Sequence, residues 1–421
     1  MGDGRPNVLI LVVDCLVAEA FFNDAGRLPL PNMERLRERG TSFRSAFSVA
    51  STTSPCFSSL FTGTYPVIHG VRGLRGLRVR DDLPTMAEAF AGAGYRTSAY
   101  VTGPLLPTVG ADRGFDVYEH RNRRQTIYDD WGKPVVERIS RLGGDGPELL
   151  LLHTFVLHSP ARRALRFAKV QYGRTMYDQA LCNIDEYLGR LWDLVSWDDT
   201  VVALMADHGE IVSTKPWWLF TAVKRTGMSR VLTRLKLSPR EAWTTGRHGS
   251  DITDVLTHVP LVFAGGPVAA TGHEVRTQVS QVDILPTLAD LADVPLALDG
   301  PLRGQSHVAA LTGGESGPER PVFAEACGER IDPKNRLVGV RADGWKCIVA
   351  PENSQIPPRL YDLTSDPRET QNLADAQPDR LANYREMIDR DYLAHLPGEA
   401  ARMSDEETRA IEEHLRDLGY L

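Results

Sequence analysis

The chain has 421 residues, 42% of them hydrophobic and 24% charged, with a formal net charge of -7. That length suits one large α/β unit and a smaller one, and the acidic balance argues against general nucleic-acid binding, which favours a basic domain. Five cysteines (Cys15, Cys56, Cys182, Cys327, Cys347) are scattered without zinc or redox spacing, so they read as small buried thiols in a reducing, cytoplasmic compartment.

Asn7 to Asp14 is a continuous apolar strand that ends in a carboxylate, as expected inside a parallel sheet. Its core, Val8 to Val13, is far too short to span a bilayer and carries no basic leader or cleavage site, in keeping with a cytoplasmic protein. Pro31 to Arg39 reads as a helix stopped by Gly40, and Pro84 to Ala93 as a second one opened by its proline. Gly94 to Val101 reads as a turn and strand, Glu148 to Phe155 as an apolar strand and Tyr177 to Val195 as a long amphipathic helix. Thr200 to Met205 is a strand running into Asp207, Val259 to Ala264 is another, and Asp283 to Ala292 is helical. Strand and helix alternate at βαβ spacing, which predicts a doubly wound, mostly parallel sheet flanked by helices. Beyond about residue 310 the runs are short: Val322 to Ala326, Leu337 to Val340, Trp345 to Val349 and Leu360 to Asp362 predict a small antiparallel sheet. A helical region from about Asp379 to Leu418 closes the chain. The expected organisation is an α/β domain over 1–310, with a basic insertion at 211–247, and an α+β subdomain over 311–421.

Three segments put metal-ligand chemistry at a strand end or helix start: Asp14, Thr53, and Asp207-His208-Gly209-Glu210. In open α/β sheets ligands bind at the carboxyl ends of strands. Two carboxylates, an imidazole and a hydroxyl suit a divalent ion such as Mn, Zn, Mg or Ca. Beside such an ion a threonine hydroxyl becomes a competent nucleophile, and the helix it opens favours an anionic ester. Taken singly, a strand-end aspartate or a Thr-Ser-Pro is more often a helix cap; their order and spacing together point to a site.

The run Thr53-Ser54-Pro55-Cys56-Phe57-Ser58-Ser59-Leu60-Phe61-Thr62-Gly63, with Tyr65-Pro66 and His69-Gly70, resembles the nucleophile segment of the sulfatase branch of the alkaline phosphatase superfamily. Thr53 stands where sulfatases carry the cysteine that becomes formylglycine, and Phe57 where they carry arginine. The resemblance runs on through Asp207 to Glu210, His158-Ser159-Pro160, His248-Gly249 with Val259-Pro260-Leu261, Val282 to Thr287, Leu360 to Leu363, and Leu418 to Leu421. It implies an alkaline phosphatase-like fold, with Asp14, Thr53, Asp207 and His208 holding the ion. It also implies that His158 and His248 contact substrate oxygens or protonate the leaving group. Thr102 and Pro104 occupy the positions of a Lys and a His, so that positive charge is missing; a threonine near Thr102 is similar to phosphonate and phosphodiester hydrolases of the superfamily. Cys15 replaces a second aspartate and reads as a neutral thiol packed beside the site.

A formylglycine hydrate expels sulfate by collapsing to an aldehyde, which a threonine ester cannot do. The reading is therefore a metal-dependent hydrolase of anionic esters with Thr53 as nucleophile: a phosphodiesterase, phosphonate monoester hydrolase or phosphatase. The alternatives are a sulfatase, a transferase to an acceptor other than water, and an inactive anion-binding relative. Between Glu210 and His248 the insertion carries eight Lys and Arg residues and Trp217-Trp218, and Arg162, Arg163, Arg166, Lys169 and Arg174 follow His158. These stretches read as solvated helices or as a positively charged lid for a small-molecule or lipid-like anionic ester. A peripheral membrane contact through 215–240 is the third reading.

Overall fold

The computed structural model describes residues 4–121, 125–144, 146–212, 248–268, 272–297, 300–327, 332–396 and 401–418. Most of the basic insertion, including its membrane-contact segment, and the end of the chain lie outside them.

A nine-stranded sheet is built from β1 (Asn7–Val13), β2 (Gly40–Phe47), β3 (Arg96–Val101), β4 (Val117–His120), β5 (Glu148–Thr154), β6 (Thr200–Met205), β7 (His258–Ala264), β8 (His273–Val275) and β9 (Val279–Ser280). Its order is β4-β3-β5-β1-β6-β7-β2-β8, with β9 also on β2. β1, β5 and β6 are buried along their whole length, because helices cover both faces and leave no solvent side. They pair in parallel, Val12 lying opposite His153 on one side and Met205 on the other. The carboxyl ends of these three strands therefore reach one level. The sheet is mixed: β7 runs antiparallel to both β6 and β2. β2 has no counterpart among the sequence-based elements. Its Thr41 and Ser42 are buried yet polar, and Arg44 interrupts the apolar pattern that marks the other strands.

The helix Thr53–Thr62 ends in Gly63 with a left-handed backbone. The long helix Met176–Trp192 opens with a reciprocal Thr175–Asp178 capping box. It also holds the start of helix Pro31–Arg39, since Asp185 Oδ1 accepts the Met33 N–H at 2.8 Å.

A second sheet, β10 (Val322–Ala326), β11 (Leu337–Ala342), β12 (Trp345–Val349) and β13 (Arg359–Asp362), is a four-stranded antiparallel meander, as the short runs predict. Phe323, Val338 and Cys347 share one apolar cluster with Cys56 and Tyr65, and Tyr384 and Ile388 of the helix Pro378–Asp391 cover it. The small sheet thus buttresses the helix that starts at Thr53. Among the described residues no helix is long and apolar enough to cross a membrane.

Candidate metal and nucleophile site

Asp14 follows β1 and is fully buried. Its Oδ2 accepts a hydrogen bond from Thr53 Oγ1 at 3.2 Å and lies 3.4 Å from His153 Nε2. Thr53 is the first residue of its helix, after Thr52 in extended backbone. Its hydroxyl is thus turned toward Asp14, not used as a cap.

Asp207, just past β6, is bound on one side only. Its Oδ1 accepts the N–H of His208 at 2.8 Å and of Cys15 at 3.4 Å. Asp207 Oδ2, Asp14 Oδ1 and His208 Nε2 are buried without a hydrogen-bond partner. His208 Nδ1 donates to the Gly209 carbonyl at 2.9 Å, which leaves the lone pair on Nε2. That Nε2 lies 3.5 Å from Asp207 Oδ2. Buried polar atoms are rarely orphaned; two bare carboxylate oxygens and a bare imidazole nitrogen in one spot fit a divalent cation. Asp14, Cys15 and His208, and likewise Asp14, His153 and Asp207, bring ligand atoms within 4.8 Å of one another. Asp14, Asp207 and His208, with Thr53 beside them, would hold the ion.

Electrostatics follow from this packing. Burial opposes ionisation of Asp14, but the His153 imidazole, with His208 and His158 close by, holds its carboxyl well below the usual range. Burial and the neighbouring Asp14 charge push Asp207 up. Two carboxylates facing one centre resist ionising together, and a cation removes that conflict.

Cys15 packs beside the site in surroundings that disfavour its thiolate. Burial, then the charges of Asp14, Glu210 and Asp207, raise it well above its ordinary value. Its Sγ donates toward Glu210 Oε2 at 3.8 Å.

His158 and His248 meet, their rings 4.8 Å apart and edge to face, and the His248 ring lies 4.5 Å from that of His208. Their pKa values move in opposite directions. Burial, reinforced by His248, lowers His158 to about 3, and the ring stacks on Phe155 at 4.0 Å. His248 is equally buried, but Glu210 Oε2 at 3.3 Å from its Nδ1 raises it above the ordinary value. Glu210 is lowered against its own burial by His248. Gly249 pins this segment: its N–H donates to Ser51 Oγ at 3.1 Å, its φ is +90°, and a Cβ would meet Thr52 Cγ2 at 2.7 Å.

Thr102 lines a narrow cleft that also contains His158, so the substrate-side expectation for both falls on one place. Of the arginines after His158, Arg163 donates to Gln179 at 2.5 Å and Arg166 pairs with Glu186, so both are drawn onto the helix Met176–Trp192. Arg162 lines the cleft. Asp283 is structural: its carboxylate accepts the Ser280 N–H at 2.8 Å, closing a capping box, and pairs with Arg320 at 2.6 Å.

Three residues of the site region were not singled out from sequence. His153 was legible, since the strand-end rule that marks Asp14 applies equally to the end of β5. Glu210 stood in the motif without a role of its own. Arg121, just past β4, follows no motif that would mark it. Phe57, at the arginine position, is buried with its ring 4.7 Å from His153.

Three comparisons bear on this geometry. The chain is 23% identical over 470 residues to a choline-sulfatase of Rhizobium meliloti (strain 1021), covering 89% of this chain and 83% of that protein. It is 34% identical over 125 residues to arylsulfatase K of Danio rerio, covering 29% of this chain and only 23% of that one. The fold superposes on the phosphonate monoester hydrolase of Agrobacterium radiobacter with a TM-score of 0.70 at 19% identity, covering 93% of this chain and 96% of the other. The model of the family described as Sulfatase matches residues 6–294, more than half of the chain and every strand from β1 to β9. On that match the chain belongs to the sulfatase family and is, in reaction class, a hydrolase.

Proposed function

We propose that the protein is a metal-dependent hydrolase that uses Thr53 to open phosphodiesters or phosphonate monoesters. The observation that carries this is the 3.2 Å bond from Thr53 Oγ1 to Asp14 Oδ2, made at a helix start beside the unpartnered oxygens of Asp14 and Asp207. When bound, a divalent ion supplies charge neutralisation for the ester and lowers the pKa of a neighbouring hydroxyl. Asp14 orients the Thr53 hydroxyl, and the helix N-terminus adds positive potential for the anion. Oγ1 then passes its proton to Asp14 and attacks phosphorus, and the bond from phosphorus to the leaving oxygen breaks. His248, raised by Glu210, is the group best placed to give that oxygen its proton, and His158, held neutral, contributes hydrogen bonding and shape. Water next attacks phosphorus, giving a proton to His248, and the expelled Thr53 oxygen takes its own proton back from Asp14.

Phosphorus is favoured over sulfur because threonine lacks the aldehyde route for sulfate release, and a diester or phosphonate monoester over a phosphate monoester because the buried Phe57 brings no charge where a dianion needs a clamp. The similarity to a choline-sulfatase supports sulfate ester hydrolysis as the second reading. The imidazole beside two carboxylates favours Mn or Zn over Ca. Five free, buried cysteines support a cytoplasmic setting.

The test is turnover of matched aryl esters (phosphodiester, phosphonate monoester, phosphate monoester, sulfate) by metal-reconstituted protein. Phosphodiester or phosphonate turnover should fall by about 10³-fold or more in Thr53→Ala. Turnover of the sulfate alone would overturn the reading.

A further inference from the structure

Beside the nucleophile site, on the side of His158, runs the cleft lined by Thr102, Arg121, Phe155, His158, Ser159 and Arg162. Its enclosed space is about 10 Å³, the size of one water or one anionic oxygen. Arg121 is its unusual member. The side chain is buried, with 3% of its surface exposed, in a place where arginines are normally paired. Its Nη1 donates to the Gln125 carbonyl and its guanidinium lies over the Trp131 ring at 4.6 Å. Nε and Nη2 are buried and have no hydrogen-bond partner, and among the described residues Arg121 makes no ion pair with a carboxylate.

Burial lowers Arg121 to about 10, Asp129 offsets this in part, and Arg162 adds repulsion. It remains cationic at neutral pH. Its backbone is fixed: the N–H bonds to the Val101 carbonyl at 3.0 Å, and its own carbonyl accepts from Thr102 Oγ1 at 3.4 Å. A rigid, dehydrated guanidinium with two spare donors, facing a second arginine, is built for an anion.

We infer that this cleft binds a second anionic group of the substrate, a carboxylate or comparable anion outside the scissile ester, with Arg121 as its principal donor. The inference rests on the reading of the Thr53 site as one for anionic esters, and it narrows the substrate class to esters carrying an additional negative charge. Arg121 acts in specificity; the bond-breaking chemistry stays with Thr53 and the histidines.

Calorimetric titration of the full, metal-reconstituted chain with phenylphosphonate and with its 3- and 4-carboxyphenyl analogues separates the two ideas. One carboxylated probe should bind at least about tenfold tighter than the parent, the scale of a hydrogen bond to a charged group. In Arg121→Gln the ratio should fall toward one, and in Arg121→Lys to an intermediate value. Equal binding of parent and carboxylated probes by the wild-type protein, or an unchanged ratio in a folded Arg121→Gln protein, overturns the second-anion site and leaves the ester site standing. Binding of no probe removes both. If Arg121→Gln does not fold, the wild-type ratio and its change in Arg121→Lys decide the matter.

Discussion

His69 is fully buried between two helix ends, where its Nδ1 accepts the Val71 N–H at 3.1 Å and its Nε2 donates to Ser59 Oγ at 2.9 Å. Both ring nitrogens are satisfied only in the neutral form. Burial, with Arg72 nearby, lowers its pKa to about 3. The sign follows directly. Between about 6.5, where an unfolded histidine titrates, and about 3, the unfolded chain binds a proton that the folded protein does not, so acidification destabilises. The gap in unfolding free energy between wild type and His69→Gln should therefore shrink by about 2 kcal/mol from pH 7.5 to 5. Urea titrations at several pH values measure it, and a constant gap would contradict a neutral His69. The same reasoning explains why a His-Gly pair inside a catalytic-looking motif carries no chemistry here: its donors and acceptors are spent on the helix ends.

Elements are joined by a buried ionic triad. Lys346 on β12 reaches Asp254, just before β7, at 2.6 Å and Glu369, beyond β13, at 3.0 Å. Burial opposes its charge, yet the two carboxylates hold its pKa above the ordinary lysine value. Lys346→Met would leave Glu369 without its cation and Asp254 with only Arg341, at 3.6 Å, and should cost about 3–5 kcal/mol in chemical denaturation. Adding Asp254→Asn and Glu369→Gln should recover more than half of that loss, because the penalty belongs to the stranded charges and not to the missing contact. No recovery in the triple variant would show that packing dominates. Through this triad and the cluster around Cys56, the four-stranded sheet steadies the far side of the helix that presents Thr53.

At the scale of the whole molecule, the candidate ion site ties together the ends of β1 and β6 and the start of the Thr53 helix, elements far apart in the chain. An ion bound only by the folded state stabilises globally, by about 2.7 kcal/mol at a hundredfold excess over its dissociation constant. Added Mn or Zn should raise the melting temperature of chelator-treated protein. Asp207→Asn should abolish that increment while making the metal-free protein more stable than metal-free wild type, since it removes one of two facing carboxylates. A metal-dependent shift of wild-type size in Asp207→Asn would place the ion elsewhere.

Much of this molecule was legible in the chain itself. Continuous apolar runs marked the inner strands because a parallel sheet covered on both faces leaves no polar side, and Asp14, Asp207 and His208 stood out because they follow those runs directly. Thr53 was legible from its motif. β2 was not, since its burial comes from neighbours on both edges and not from its own polar sequence. Nor did the chain show that His153 joins Asp14, that Glu210 raises the pKa of His248 across 38 positions, or that Arg121 lies buried with spare donors beside His158. Local pattern determines which residues enter strands and helices, because that depends on near neighbours and periodicity. Partnership, burial and charge state depend on which strand ends the topology brings to one level, and only the tertiary structure decides that.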